Sequence, residues 1–136
     1  YAAAERGIMK LYLAEDGYAG AVDTENTRAA RAAVQKALPH LQLTQSSPGN
    51  IEIMPENAGK GTALAFLANY LGFEREQVMA MGDADNDLSM LEYAYHSVAM
   101  ANASPAVQKA CRYQTLSNDE CGVAAMIDRV LAMQER

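Results

Sequence analysis

Val78-Met79-Ala80-Met81-Gly82-Asp83-Ala84-Asp85-Asn86-Asp87 is the stretch whose reading decides the fold. Four apolar residues in succession read as a short strand buried on both faces, and such strands belong to parallel sheets covered by helices. Gly82 and the acidic turn after it end the strand, and Asp87 to Ala94 then reads as a helix with Met90 and Leu91 inward.

The neighbours on both sides keep this rhythm. Lys60 to Leu71 carries Leu64, Leu67, Ala68 and Leu71 at helical spacing, with Gly72 as its stop. Ser97 to Met100 is a second short apolar strand. Ser104-Pro105 is a helix start, with Ser as cap and Pro at the first helical position. Tyr113 to Leu116 reads as a further short strand, and Val123 to Met133 as a closing amphipathic helix. Helix and buried strand in alternation give βα units on a parallel sheet.

The first 56 residues read differently. Ile8 to Leu13 has strand composition, and Asp16-Gly17 marks a turn. Thr27 to Leu38 is a helix of Ala, Arg, Gln and Lys, capped by Thr24 or Asn26 and stopped by Pro39. Leu41 to Gln45 and Ile51 to Met54 alternate on either side of Ser46-Ser47-Pro48-Gly49-Asn50, which predicts an antiparallel hairpin. The expected division is therefore an α+β segment over 1–56 and a parallel α/β segment over 57–136.

Composition narrows the function classes. The chain has 136 residues, half of them hydrophobic, so it has the means to bury a core. Eleven Lys and Arg against seventeen Asp and Glu give a net charge of −6. An acidic chain without a basic stripe is not built to neutralise nucleic-acid phosphates. No apolar run approaches the roughly 20 residues that span a bilayer. Two cysteines, Cys111 and Cys121, are too few for a disulfide scaffold and read as free thiols of a cytoplasmic protein.

Topology then gathers the polar residues. A helix of about 12 residues descends about 18 Å, and a five-residue strand climbs about 16 Å back. Lys60, at the start of its helix, and Asp83, just past its strand, therefore return to one edge of the sheet, with Asp85, Asn86 and Asp87. Asn102 and Ser104 arrive there after the next strand, and Asn118 and Asp119 after the third. That carboxyl edge is where open α/β sheets bind ligands. One ammonium, three carboxylates and an amide suit Mg²⁺ with a phosphate: carboxylates are hard oxygen ligands, and Lys and Asn meet phosphate oxygens. Each residue also has a plainer reading, Lys60 as a solvated first-turn residue and Asp85 and Asp87 as turn or capping acids.

Other patterns fail. Asp83-x-Asp85-x-Asp87 opens like an EF-hand loop, but Leu88 and Ala94 stand where Gly and Glu are required. Gly59-Lys60 ends like a P-loop, but Gly61 follows, and Met54 occupies the first Gly position. His40 and His96 lack ligand spacing.

At this point the motifs resemble a known family. Asn57-Ala58-Gly59-Lys60-Gly61-Thr62-Ala63-Leu64 resembles motif III of the haloacid dehalogenase superfamily, and Gly82-Asp83-Ala84-Asp85-Asn86-Asp87 its motif IV, GDxxND. Val98 to Ala103 and Ser117 to Ala124 are similar to later signatures of its Cof-type sugar-phosphatase branch. The resemblance implies a parent that is a Mg²⁺-dependent phosphatase of sugar phosphates or other small phosphoesters, working through an aspartyl-phosphate. It implies that Asp83 binds Mg²⁺, that Lys60 pairs with nucleophile and phosphate, that Asn86 and Asn118 hold phosphate, and that Asp87 is a second metal-side or orienting carboxylate.

The family's DxDGT-type nucleophile motif has no counterpart here, and the chain opens on Tyr1. Two expectations follow. The fold would be the C-terminal half of a Rossmannoid core (57–136) behind a cap-domain remnant (1–56). The chain would be a C-terminal fragment, inactive alone, or else a non-catalytic phosphate- or metal-binding module. Its open sheet edge at Val78–Met81 would then pair with a second copy or a complementing partner. Tyr95-His96 stands where the family has a small Gly-containing turn, a departure without an assigned role.

Overall fold

The computed structural model describes residues 10–14, 23–46 and 49–134. The first two residues of the opening strand, the Asp16-Gly17 turn, and Ser47-Pro48 of the turn cluster lie outside the described residues. The chain divides into two compact units, Tyr1–Gly59 and Lys60–Arg136.

The first unit holds strand β1 (Leu11–Ala14), helix α1 (Glu25–Ala37), strand β2 (Gln42–Thr44) and strand β3 (Asn50–Met54). Thr24 is the cap of α1: its hydroxyl accepts from the N–H of Thr27 at 3.1 Å, which satisfies one of the donors a helix start leaves open. β2 and β3 form the expected antiparallel pair, but the strand order is β1-β3-β2. β1 pairs antiparallel with β3, Leu11 opposite Ile53, so β3 is central and its residues are the most buried. Ile51 and Ile53 alternate with Asn50 and Glu52, and all four are buried. The two polar ones survive burial because they are paired. Asn50 donates to Ser46 at 2.9 Å and to the Tyr12 hydroxyl at 3.3 Å. Glu52 accepts from Lys10 and Ser46, each at 2.8 Å, and from Thr44 at 3.3 Å.

The second unit runs α2 (Lys60–Leu71), β4 (Met79–Gly82), α3 (Leu88–Tyr93), β5 (His96–Ala99), α4 (Pro105–Ala110), β6 (Tyr113–Gln114) and α5 (Gly122–Gln134). The three strands are parallel in the order β4-β5-β6, the arrangement the alternation predicts. Its core joins Ala68, Val78, Ala80, Leu91, Ala94, Ala99, Met100, Ala103 and Val107. Small residues dominate on the strands because helices approach the sheet closely there.

Helix α2 departs from its sequence pattern. It rests on α3 through Gly61, Leu64 and Ala68: a Cβ at Gly61 would stand 2.5 Å from the Ser89 carbonyl oxygen. That row is inward, so Leu67 and Leu71 are left about half exposed. Tyr12 and Tyr70 are exposed, and the Tyr70 ring stacks on Phe66. Tyr95 and His96 lead into β5, where the Arg112 guanidinium lies 4.0 Å from the Tyr95 ring centre and His96 stacks against Tyr113. Aromatic and cation–π packing at the amino ends of β5 and β6 is thus what these residues contribute.

The fold-class expectation needs correcting. An α/β Rossmannoid unit and a cap-like α+β unit both form within this one chain, each a compact body with its own three-stranded sheet. The description as half a core behind a cap remnant does not hold.

Candidate active site

The site lies at the carboxyl edge of the parallel sheet, built by the loops after β4, β5 and β6 and by the first residue of α2. Its pivot is Asp87. A single 3-10 turn, Asp85–Asp87, links β4 to α3 and folds the Asp87 side chain back under the end of the strand. Only 7% of that side chain is exposed. Its Oδ2 accepts from the N–H groups of Asp83 (3.1 Å) and Ala84 (3.3 Å), and its Oδ1 forms an ion pair with Lys60 Nζ. Two backbone donors and one ammonium account for both oxygens of this buried carboxylate, which is the condition under which burying it is tolerable.

The Lys60 side chain is half exposed. Its position is fixed from the next residue, where the Gly61 N–H donates to the Ser89 hydroxyl at 3.1 Å and locks the start of α2 onto α3. A cation in the first turn of a helix is disfavoured by the helix dipole, so the Asp87 carboxylate is what offsets that cost.

Asp83 is exposed just past β4. Its Oδ2 accepts from Asn102 Nδ2 at 3.0 Å, and its backbone carbonyl accepts from the Ser104 N–H at 2.9 Å. Ser104 also donates its hydroxyl to Asp85 Oδ1 at 2.7 Å. Asn118 enters through its backbone: its N–H donates to Asn102 Oδ1 at 3.0 Å, while its side chain donates to Asp119 at 3.3 Å. Asn86 sits in the 3-10 turn, half-buried.

The structure thus brings Lys60 to Asp87, and Asp83 to the loop that carries Asn102. Asp87, one of the two expected metal-side carboxylates, is committed within the chain. Asn102 escaped the sequence reading as anything more than a residue at the same edge. The signal available was its place three residues after β5 at the carboxyl edge.

Among the described residues, no group of three or more His, Cys, Asp and Glu side chains is placed to hold a metal ion. Asp83 nevertheless suits a hard cation of the Mg²⁺ type: it is exposed, at the ligand-binding edge, with one oxygen engaged by an amide. Mg²⁺ takes one or two carboxylates and keeps waters and phosphate oxygens as its other ligands.

A family model of haloacid dehalogenase-like hydrolases matches residues 16–127. The chain belongs to that family. It is 46% identical over 97 residues to a 5-amino-6-(5-phospho-D-ribitylamino)uracil phosphatase of Bacillus subtilis, covering 70% of this chain and 34% of that protein. Among solved structures, the protein SMU.1108c of Streptococcus mutans is similar at a TM-score of 0.78 and 38% identity, over 91% of this chain and 45% of that one. A phosphatase of the same superfamily from Bacteroides thetaiotaomicron matches at a TM-score of 0.76 and 26% identity, over 94% of this chain and 44% of that one. The chain spans about a third of the length of the curated relatives it matches.

Two further expectations are corrected here. The family match runs through both units, so recognition as a fragment made of core half and cap remnant is replaced by membership of the haloacid dehalogenase-like hydrolases as a chain carrying both. The expectation of an inactive fragment or a non-catalytic module gives way to a likeness to phosphatases, over the 34% and 44% of their length that this chain matches. Among the described residues, no helix is long and apolar enough to cross a membrane.

Proposed function

We propose that this chain carries the activity of a Mg²⁺-dependent phosphatase acting on sugar phosphates or other small phosphorylated metabolites. The observation that carries this reading is the Lys60–Asp87 ion pair standing at the same sheet edge as the exposed Asp83.

Each residue has a distinct task. Asp83 is the carboxylate that would hold Mg²⁺, and the bound ion would neutralise phosphate charge and polarise the P–O bond. Lys60 offers its half-exposed ammonium to the phosphate oxygens. Asp87 orients rather than ligates: it fixes the Lys60 ammonium and the backbone of the motif IV loop. Asn86 donates its amide to phosphate, and the Asn118 side chain stands at the rim of the same edge. Preorganised charge of this kind acts without reorganisation when the transition state forms. The compartment that fits is the cytoplasm, since Cys111 and Cys121 are both free thiols.

The test is hydrolysis of a panel of small phosphate monoesters with Mg²⁺ and with EDTA. Activity that needs Mg²⁺ and falls by two to three orders of magnitude, roughly, in Asp83→Ala and Lys60→Ala supports the assignment. Turnover unaffected by EDTA, or retained in Asp83→Ala, overturns it.

A further inference from the structure

We infer that Asn102 is a positioning residue for the Asp83 carboxylate, joining the three carboxyl-edge loops through one side-chain amide. Asp83 follows β4, Asn102 follows β5 and Asn118 follows β6. Asn102 Nδ2 donates to Asp83 Oδ2 at 3.0 Å, and Asn102 Oδ1 accepts from the Asn118 N–H at 3.0 Å.

The chemistry selects an amide. One planar group must donate to a carboxylate on one side and accept from an N–H on the other. The two partners also fix which way the amide faces, because the NH₂ has to meet the carboxylate and the oxygen the N–H. An Asp at this position would set a second negative charge against Asp83, and an apolar residue would release both partners.

The consequence is control of the Asp83 rotamer. With Oδ2 held by the amide, Oδ1 is the oxygen turned to a cation. The same loop braces the backbone, where the Ser104 N–H meets the Asp83 carbonyl at 2.9 Å and the Ser104 hydroxyl meets Asp85 at 2.7 Å. Partners that orient a metal-binding carboxylate affect affinity about as strongly as 10- to 100-fold when removed. This inference rests on the assignment of Asp83 to the metal made above.

Mn²⁺ binding to the full chain, followed by electron paramagnetic resonance, tests it. Asn102→Ala is expected to bind Mn²⁺ about tenfold more weakly than the unmutated chain. In the unmutated chain, the side-chain NH₂ resonance of Asn102 is expected to shift during a Mg²⁺ titration, with the midpoint of metal binding. A merely structural residue would not report the metal in this way. If Asn102→Ala fails to fold, that resonance decides the matter: a shift supports the inference and its absence overturns it. Wild-type affinity in a folded Asn102→Ala variant overturns the role of Asn102 and leaves the phosphatase reading standing. No Mn²⁺ binding by the unmutated chain removes the metal assignment of Asp83, and this inference with it.

Discussion

The Asp87 side chain occupies the space that a Cβ on Gly82 would need. A Cβ built there would lie 2.6 Å from Asp87 Cβ and 2.8 Å from its Oδ2. The last residue of β4 is therefore glycine so that a carboxylate can fold back beneath the strand and take two backbone N–H groups. Gly82→Ala is expected to displace Asp87 and to cost about 1–3 kcal/mol of stability, the usual range for overpacking. Urea unfolding measures the loss, and phosphatase assay of the surviving folded protein should show activity reduced with it. Unchanged stability would mean that the loop relaxes freely, contrary to this packing.

Asp87 couples the loop to Lys60, so its removal should be felt in two places. Asp87→Ala leaves the Asp83 and Ala84 N–H groups without their acceptor and the Lys60 ammonium without its anion. The expected loss is about 2 kcal/mol, discounted from the range for fully buried pairs because Lys60 is half exposed. Asp87→Asn retains an oxygen for the backbone donors and should lose less. Comparing the two by denaturant unfolding separates the hydrogen-bonding role from the charge.

The first unit carries a pH signature of its own. Burial acts to raise the Glu52 pKa, but hydrogen bonds from Lys10, Ser46 and Thr44 and the charge of Lys10 together outweigh it, so the carboxyl titrates below the ordinary glutamate value. A pKa lowered by folding means that the unfolded chain binds the proton more readily. The contribution of Glu52 is therefore present above the ordinary glutamate value and is lost as pH falls through its lowered folded value. Thermal unfolding from neutral to acid pH is expected to show a steeper loss in the unmutated chain than in Glu52→Gln. Parallel curves would show that the buried carboxylate is not linked to folding.

The two thiols should differ in reactivity. Cys111 closes α4 half-buried, where desolvation pushes its thiol pKa up against the opposing effect of Ser97. Cys121 is exposed. The thiolate is the reacting form, so Cys121 should label first with iodoacetamide at mildly alkaline pH, and Cys111 more slowly. Mass mapping of the labelled peptides over time checks the order.

How much of this was legible in advance depends on the range of the interaction. Short apolar runs and caps are local, and Met79–Gly82, His96–Ala99 and the Ser104-Pro105 start sit within a residue or two of where the pattern put them. The failures are tertiary. Leu67 and Leu71 fit the helical period, yet which row of α2 turns inward depends on Gly61 meeting Ser89 across α3. The pairing of β1 with β3 was equally hidden, since antiparallel register joins residues some forty positions apart.

The same division runs through the site. The sequence by itself determined that Lys60, Asp83, Asn86 and Asp87 return to one edge, because helix rise and strand rise nearly cancel. It also determined the family, through motifs III and IV. Only the tertiary structure decided what surrounds each carboxylate. Asp83 and Asp87 are alike in the sequence, four residues apart in one acidic turn. The turn buries one against two N–H groups and an ammonium, and leaves the other exposed under an amide arriving from the next loop. A carboxylate's role follows from its partners and its solvent, and those are set by chain segments that meet only in the fold.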